Sequence, residues 1–234
     1  MNKVLPLLLL LLTCSVALAA NETVPSIWAA SDQPPNTDVN SSPWRGAVVT
    51  YMDSNPHGKL DPKYRTEIRA RWTRHNLYFL FVCPYEELYL KPKPNTSEET
   101  NELWNWYVAE VFIGSDFQHI RRYKDFEMSP RGEWIDLDID LDKSHDENGW
   151  KWKSGFEVSA RIDPATHVWY GAINIPYSAL DNHPAAGGNT LRINFFRSQG
   201  PPSARHQLAW QAPMSNSFHV PERFGLMKLV KTNE

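Results

Sequence analysis

From residue 46 onward the chain is written in short runs that alternate apolar and polar side chains, separated by clusters such as NHPAAGG and SQGPPS. TEIRARW (66–72) shows the period of two most clearly: Ile68, Ala70 and Trp72 share one face, and Glu67, Arg69 and Arg71 share the other. The tripeptide RHN then turns the chain into LYFLFV, apolar at every position, so the pair reads as a hairpin of one half-buried and one fully buried strand. YVAEVFIG, YKDFEMS, WIDLDIDLD, FEVSARID, VWYGAINI, TLRINFFR and FGLMKLV continue the series. No segment carries an amphipathic helical repeat of useful length, and no unit of roughly 20 to 50 residues recurs. The pattern predicts one all-β domain over 46–234, built as a two-sheet antiparallel β-sandwich. Residues 20–45, rich in Asn, Ser, Pro and Thr, read as an extended lead-in with weak structure of its own.

The start of the chain adds a destination. MNKVLPLLLLLLTCSVALAA has an early lysine, an apolar run and small residues at Ala17 and Ala19, the layout of a secretory signal peptide over 1–19. Thr13 is larger than the residue that precedes a lipidated cysteine, so Cys14 points to plain export and not to a lipoprotein. The apolar run falls short of the roughly 20 residues that cross a bilayer, and no later segment qualifies, so no transmembrane segment is expected. Cys83 is then the one cysteine left, which excludes an intramolecular disulfide and leaves the fold to its hydrophobic core. The formal charge of −3, or −4 once Lys3 is removed, has no basic run in it and gives nucleic acid nothing to bind. The ten Trp, nine Tyr and ten Phe are more telling, because rings in that number suit broad sheets and stacking ligands.

Catalytic and metal chemistry find few footholds. In WIDLDIDLDKSHDENG, Asp136, Asp138, Asp140 and Asp142 recur at every second position, but the gaps hold Leu137, Ile139 and Leu141 where an EF-hand loop would need its glycine and its bidentate glutamate. That is a strand with a wet acidic face, neutralised across an adjacent strand by residues such as Arg161, with a structural calcium near Asp142, His145 and Asp146 as the minor reading. The histidines show no H-x-x-x-H or H-x-H spacing for zinc, and no nucleophile motif or phosphate loop occurs. Glu110, Glu127 and Asp136 on successive strands offer a carboxylate pair for glycoside hydrolysis, a reading that depends on a separation only a fold can supply.

The stretch NELWNWYVAEVFIG (101–114) is different. As a strand it places Trp106, Val108, Glu110 and Phe112 on one face and Tyr107, Ala109, Val111 and Ile113 on the other, so a single carboxylate sits among apolar side chains. An ionised glutamate there requires an arginine, a set of hydrogen-bond donors or a ligand. Sugar hydroxyls are such donors, and pyranose rings stack on tryptophan. The bland alternative is Trp as core filler and Glu110 paired with a buried Arg. Near the end of the chain, SNSFHVPERFGLMKLV presents Phe218 and His219 in a Pro-bounded loop, a second wall for a ring-shaped ligand.

Taken together, ARWTRHNLYFLFVC, LWNWYVAEVFI and SFHVPERFGLMKL resemble, in order, the early hairpin, the W-x-x-D-x-V-E-x-F-I segment and the closing P-x-x-F-G strand of carbohydrate-binding module family 9 and its DOMON-like relatives. The resemblance runs over roughly residues 25 to 230. It implies a jelly-roll or DOMON-like sandwich, non-catalytic, that holds a terminal sugar of a mono- or oligosaccharide between two rings, in the service of polysaccharide degradation. By position Trp104 matches the first ring, Glu110 the gripping carboxylate and Phe218 the second ring, with Asn216, His219, Asn194 and Arg197 as further hydroxyl partners. Tyr107 stands where the pattern has Asp, and Phe218 where the best-known binders have Trp. The resemblance requires no cofactor. Its cytochrome-type relatives suggest a second reading, a haem module with axial ligands drawn from Met128, Met214 and His219.

Overall fold

The computed structural model describes residues 22–143, 152–180 and 185–231. Its strands are β1 (Thr23–Trp28), β2 (Val49–Met52), β3 (Thr66–Trp72), β4 (Asn76–Pro84), β5 (Val108–Gly114), β6 (Arg122–Met128), β7 (Trp134–Asp140), β8 (Glu157–Asp163), β9 (Val168–Pro176), β10 (Thr190–Gln199), β11 (His206–Ala209) and β12 (Gly225–Val230). The helical elements among the described residues are three-residue 3-10 turns. The all-β expectation therefore holds, and the strictly alternating TEIRARW is β3, with Ile68, Ala70 and Trp72 buried and the charged residues between them half-buried.

The two-sheet sandwich is not confirmed. The strands form one hydrogen-bonded sheet of twelve in the order β7-β6-β5-β10-β12-β1-β3-β4-β9-β8, with β11 added to β10 and β2 to β3. The join is β1, which pairs in parallel with β12 over Thr23 to Ile27 and in parallel with β3 at Ile27 and Trp28. The segment read as a lead-in thus supplies the strand that fuses the two halves. Its Pro25, which has no N–H for a ladder, lies before the β1–β3 pairing begins. The sheet curls toward a barrel: at the β7 end Trp134 meets Phe156, just before β8, edge-on at 5.6 Å, and the Ser154 N–H donates to Asp136 at 2.6 Å.

Curling gives the sheet an inner and an outer apolar layer. The inner core gathers Phe79 and Phe81 of β4, Tyr107 just before β5, Ala109, Val111 and Ile113 of β5, Met128, Trp169 and Phe195, with Phe79 and Phe81 edge-on to Phe195 at 5.5 and 6.0 Å. Each buried Phe, Val, Ile or Met side chain among these contributes about 1.5–3 kcal/mol. Cys83 is a free thiol sealed in this layer. The second layer holds Val108 and Phe112 of β5 with Tyr123, Leu137, Phe196, Phe218 and Phe224. The two faces of β5 therefore divide as its sequence predicted, and Glu110 falls on the second.

The acidic strand departs from its expected wet face. Asp136 is 1% exposed and Asp140 8%, while Asp138 and, just beyond the strand, Asp142 are open to solvent. The neutralising cations come from β6 and the adjoining loops: Lys124 meets Asp138 at 2.5 Å, and Arg122 and Lys143 meet Asp140 at 3.3 and 3.1 Å. Arg161 is not among them, because β8 pairs with β9, and its guanidinium lies over Tyr170 instead.

Candidate functional site: an aromatic pocket with an acidic floor

A cavity of about 250 Å³ opens on the outer face of β5, β6 and β10, lined by Trp104, Phe112, Phe218, His219, Asn216 and Glu110 among others. That is just below the roughly 300–1,000 Å³ of pockets for larger ligands and suits one small ring. Trp104 comes from the 3-10 turn Leu103–Asn105, entered through Glu102 in the left-handed region (φ 57°), and is 37% exposed while Leu103 beside it is fully buried. The Arg205 guanidinium holds that turn from outside, donating to the carbonyls of Trp104, Asn105 and Trp106. Phe218 is seated by stacking on Phe196 at 4.2 Å. Next to it His219 stacks on Phe112 at 5.2 Å and its Nδ1 shares a 2.6 Å hydrogen bond with the Tyr123 hydroxyl. Asn216 is tied to His57 at 3.0 Å.

The floor is set by strand register. Glu110 of β5 lies opposite Glu127 of β6, and Asp125 lies opposite Phe112, so three carboxyls share one face. One oxygen from each lies within 4.8 Å of the others, all three residues are at most 2% exposed, and Glu110 Oε1, Asp125 Oδ1 and Glu127 Oε2 have no hydrogen-bond partner. Burial pushes the Glu110 pKa up to about 8, with the Arg205 charge and a hydrogen bond from Ser198 pulling the other way. Asp125 and Glu127 are raised well above the carboxylate range by burial first and then by the neighbouring acids. Such a floor holds protons or receives positive charge and hydrogen-bond donors from a ligand.

The chain matches the family model described as "Carbohydrate family 9 binding domain-like" over residues 38–232. It belongs to that family. It is 25% identical over 203 residues to an "Extracellular protein" of Arthroderma benhamiae, covering 81% of this chain and 88% of the relative. Among solved structures it shares its fold with a family 9 carbohydrate-binding module from Caldicellulosiruptor kristjanssonii in complex with cellotriose, at 12% identity and a TM-score of 0.64, covering 91% of this chain and 96% of the other. The same fold is seen in a candidate carbohydrate-binding protein from Bacteroides uniformis, at 15% identity and a TM-score of 0.69, covering 90% and 100%. No helix of the described residues is long and apolar enough to cross a membrane.

Of the residues singled out in this family 9 sequence, Trp104, Glu110, Phe218, Asn216 and His219 converge on the cavity. Asn194 and Arg197 do not. Asn194 is fully buried and spends its amide on Gln211, donating to its carbonyl at 2.8 Å and accepting from its N–H at 3.0 Å. Arg197 lies on the inner face, where Ala109 rather than Glu110 is its β5 partner, and donates to Thr66 Oγ1 at 2.9 Å and to the carbonyls of Tyr64 and Pro84. It is therefore no partner for Glu110. Trp106 stacks on Tyr89 at 4.9 Å, apart from the pocket walls. Asp142 pairs with Arg121 at 2.5 Å, and His145 and Asp146 lie outside the described residues. Met128 is packed in the inner core, across the sheet from His219, and Met214 is exposed, so the three suggested haem ligands do not converge. Asp136, the third carboxyl weighed for hydrolysis, lies opposite Phe126 and away from the floor. Asp125 is the residue the sequence reading missed. In YKDFEMS it alternates with Phe126 and Met128 as Glu127 does, and that spacing was the available signal.

Proposed function

We propose that this protein is a secreted, non-catalytic carbohydrate binder that takes a terminal sugar ring between Trp104 and Phe218, with Glu110 as its main polar anchor, and assists polysaccharide degradation. The observation that carries the reading is that Trp104, Glu110 and Phe218, scattered over more than a hundred residues, line one cavity. Aromatic faces accept the C–H surface of a pyranose, and an acidic floor accepts hydrogen bonds from its hydroxyls, the combination a small selective pocket needs. Cellotriose and glucose held by the Caldicellulosiruptor module give the reading its ligand class. The anchoring of the Trp104 turn by Arg205 also fits, since a stacking wall works best when its backbone is fixed before the ligand arrives.

Calorimetric titration of glucose and cello- and chito-oligosaccharides against the wild type and Trp104→Ala tests it. The expected result is saccharide binding in the wild type that falls by about tenfold or more in the variant. Equal affinity in both removes the site, and heatless titrations with every glycan remove the function.

A further inference from the structure

The acidic floor is more than a sugar of hydroxyls alone requires. A single carboxylate suffices to accept from a hydroxyl pair, whereas here three buried carboxyls converge and each leaves one oxygen without a partner. Maintaining that arrangement is costly in a folded chain, because buried like charges repel and unpaired polar oxygens lose their water. None of the three is relieved by a salt bridge among the described residues, and Arg205, whose charge acts on Glu110 and Glu127, donates to the backbone carbonyls of the Trp104 turn.

Resting on the saccharide reading above, we infer that the pocket is built for a sugar bearing a free, protonated amine, the ammonium seated on Glu110, Asp125 and Glu127 while the ring lies against Trp104 and Phe218. An ammonium brings three N–H donors and one positive charge, and the floor offers one orphan oxygen per carboxyl. Charge-assisted hydrogen bonds of this kind are about twice as strong as neutral ones. The walls favour an organic cation over a bare metal ion. A calcium ion seeks six to eight oxygens and gains nothing from rings, whereas Trp104, Phe112 and Phe218 line the same cavity and attract both an ammonium and a pyranose face. One carboxyl gives up its proton as the ammonium arrives, so binding releases up to one proton to the solution. N-acetylation of the amine removes the charge and two of the three donors, and turns the match into a clash of unpaired oxygens.

The test is calorimetry on the full chain near pH 6, where a sugar amine is protonated, in low salt, with D-glucosamine, D-glucose, N-acetyl-D-glucosamine and calcium chloride as separate titrants. Glucosamine is expected to bind about tenfold or more tightly than either neutral sugar, with proton release visible as a dependence of the heat on the buffer, and the preference is expected to shrink with added salt. Glu127→Gln, and independently Asp125→Asn in case the first fails to fold, should bring the glucosamine-to-glucose ratio toward one. Glucose or N-acetylglucosamine binding as tightly as glucosamine overturns the inference and leaves the saccharide reading standing, as does a ratio that survives both substitutions. Calcium binding lost in Glu127→Gln without any amine preference makes the floor a metal seat and overturns it too. No binding of any saccharide removes both readings.

Discussion

Arg197 and Glu110 sit on neighbouring strands, β10 and β5, one register position apart, and both carry a buried ionisable group. Their surroundings are opposite. Arg197 faces the sealed inner core, and its two terminal nitrogens reach a hydroxyl and two carbonyls, so its charge is distributed over neutral acceptors and organises the chain around Thr66 and Pro84. Glu110 faces the pocket beside two more acids, with an oxygen left unpartnered. The same depth of burial therefore marks structure on one side of the sheet and the proposed binding site on the other. What separates the two is whether neighbouring groups take up the charge: Arg197 leaves its Nε unpartnered but spreads its charge over three neutral acceptors, whereas Glu110 has two further acids beside it.

The largest expected effect comes from breaking the structural side. Arg197→Met strands the acceptors at Tyr64, Thr66 and Pro84, and should cost about 3 kcal/mol in denaturant unfolding while the proposed saccharide pocket, where the variant folds, keeps its affinity. On the other side the effect depends on pH. An acid whose pKa rises on folding binds its proton more tightly in the folded chain, so stability is full below the ordinary carboxylate pKa of 4.5 and declines as pH rises toward about 8. Unliganded protein should lose about 2–5 kcal/mol between pH 5 and 8, read from thermal or urea unfolding, and Glu110→Gln should flatten that slope. A slope that rises with pH, or one unchanged in the variant, contradicts the account of the floor.

Smaller effects sharpen the contrast. Asp125→Asn removes one of three crowded buried carboxyls and is expected to raise stability at pH 8 by about 1 kcal/mol, the opposite sign to the loss expected for Arg197→Met. Arg205→Met frees the carbonyls of the Trp104 turn and should weaken saccharide binding about three- to tenfold while shifting the unfolding midpoint little, because the guanidinium holds a surface turn and not the core.

Much of this was legible in the chain. TEIRARW gave β3 to the residue, and the alternation in YVAEVFIG separated Glu110 and Phe112 from the residues of the inner core. Trp104, Glu110 and Phe218 could be named because stacking rings and a lone strand carboxylate are local features. What escaped depended on neighbours distant in sequence. The strand β1 is short, contains Pro25 and Ser26, and becomes a strand only by docking between β12 and β3, so nothing local marks it, and without it two sheets were the natural expectation. Asp125 meets Glu110 through the β5–β6 register, and Arg197 parts from Glu110 through the β5–β10 register, where one residue of offset turns a side chain to the opposite face. Asp136 looked like an outward charge because its alternation partners are charged, yet the curl of the sheet brings the Ser154 N–H over it.

The most direct test of the central claim is a crystal structure of the protein with the tightest-binding saccharide. The account predicts one sugar ring lying between Trp104 and Phe218, with an amine or hydroxyl within hydrogen-bonding distance of Glu110, Asp125 and Glu127. A saccharide bound on another face of the sheet, with the three carboxyls untouched, would contradict it.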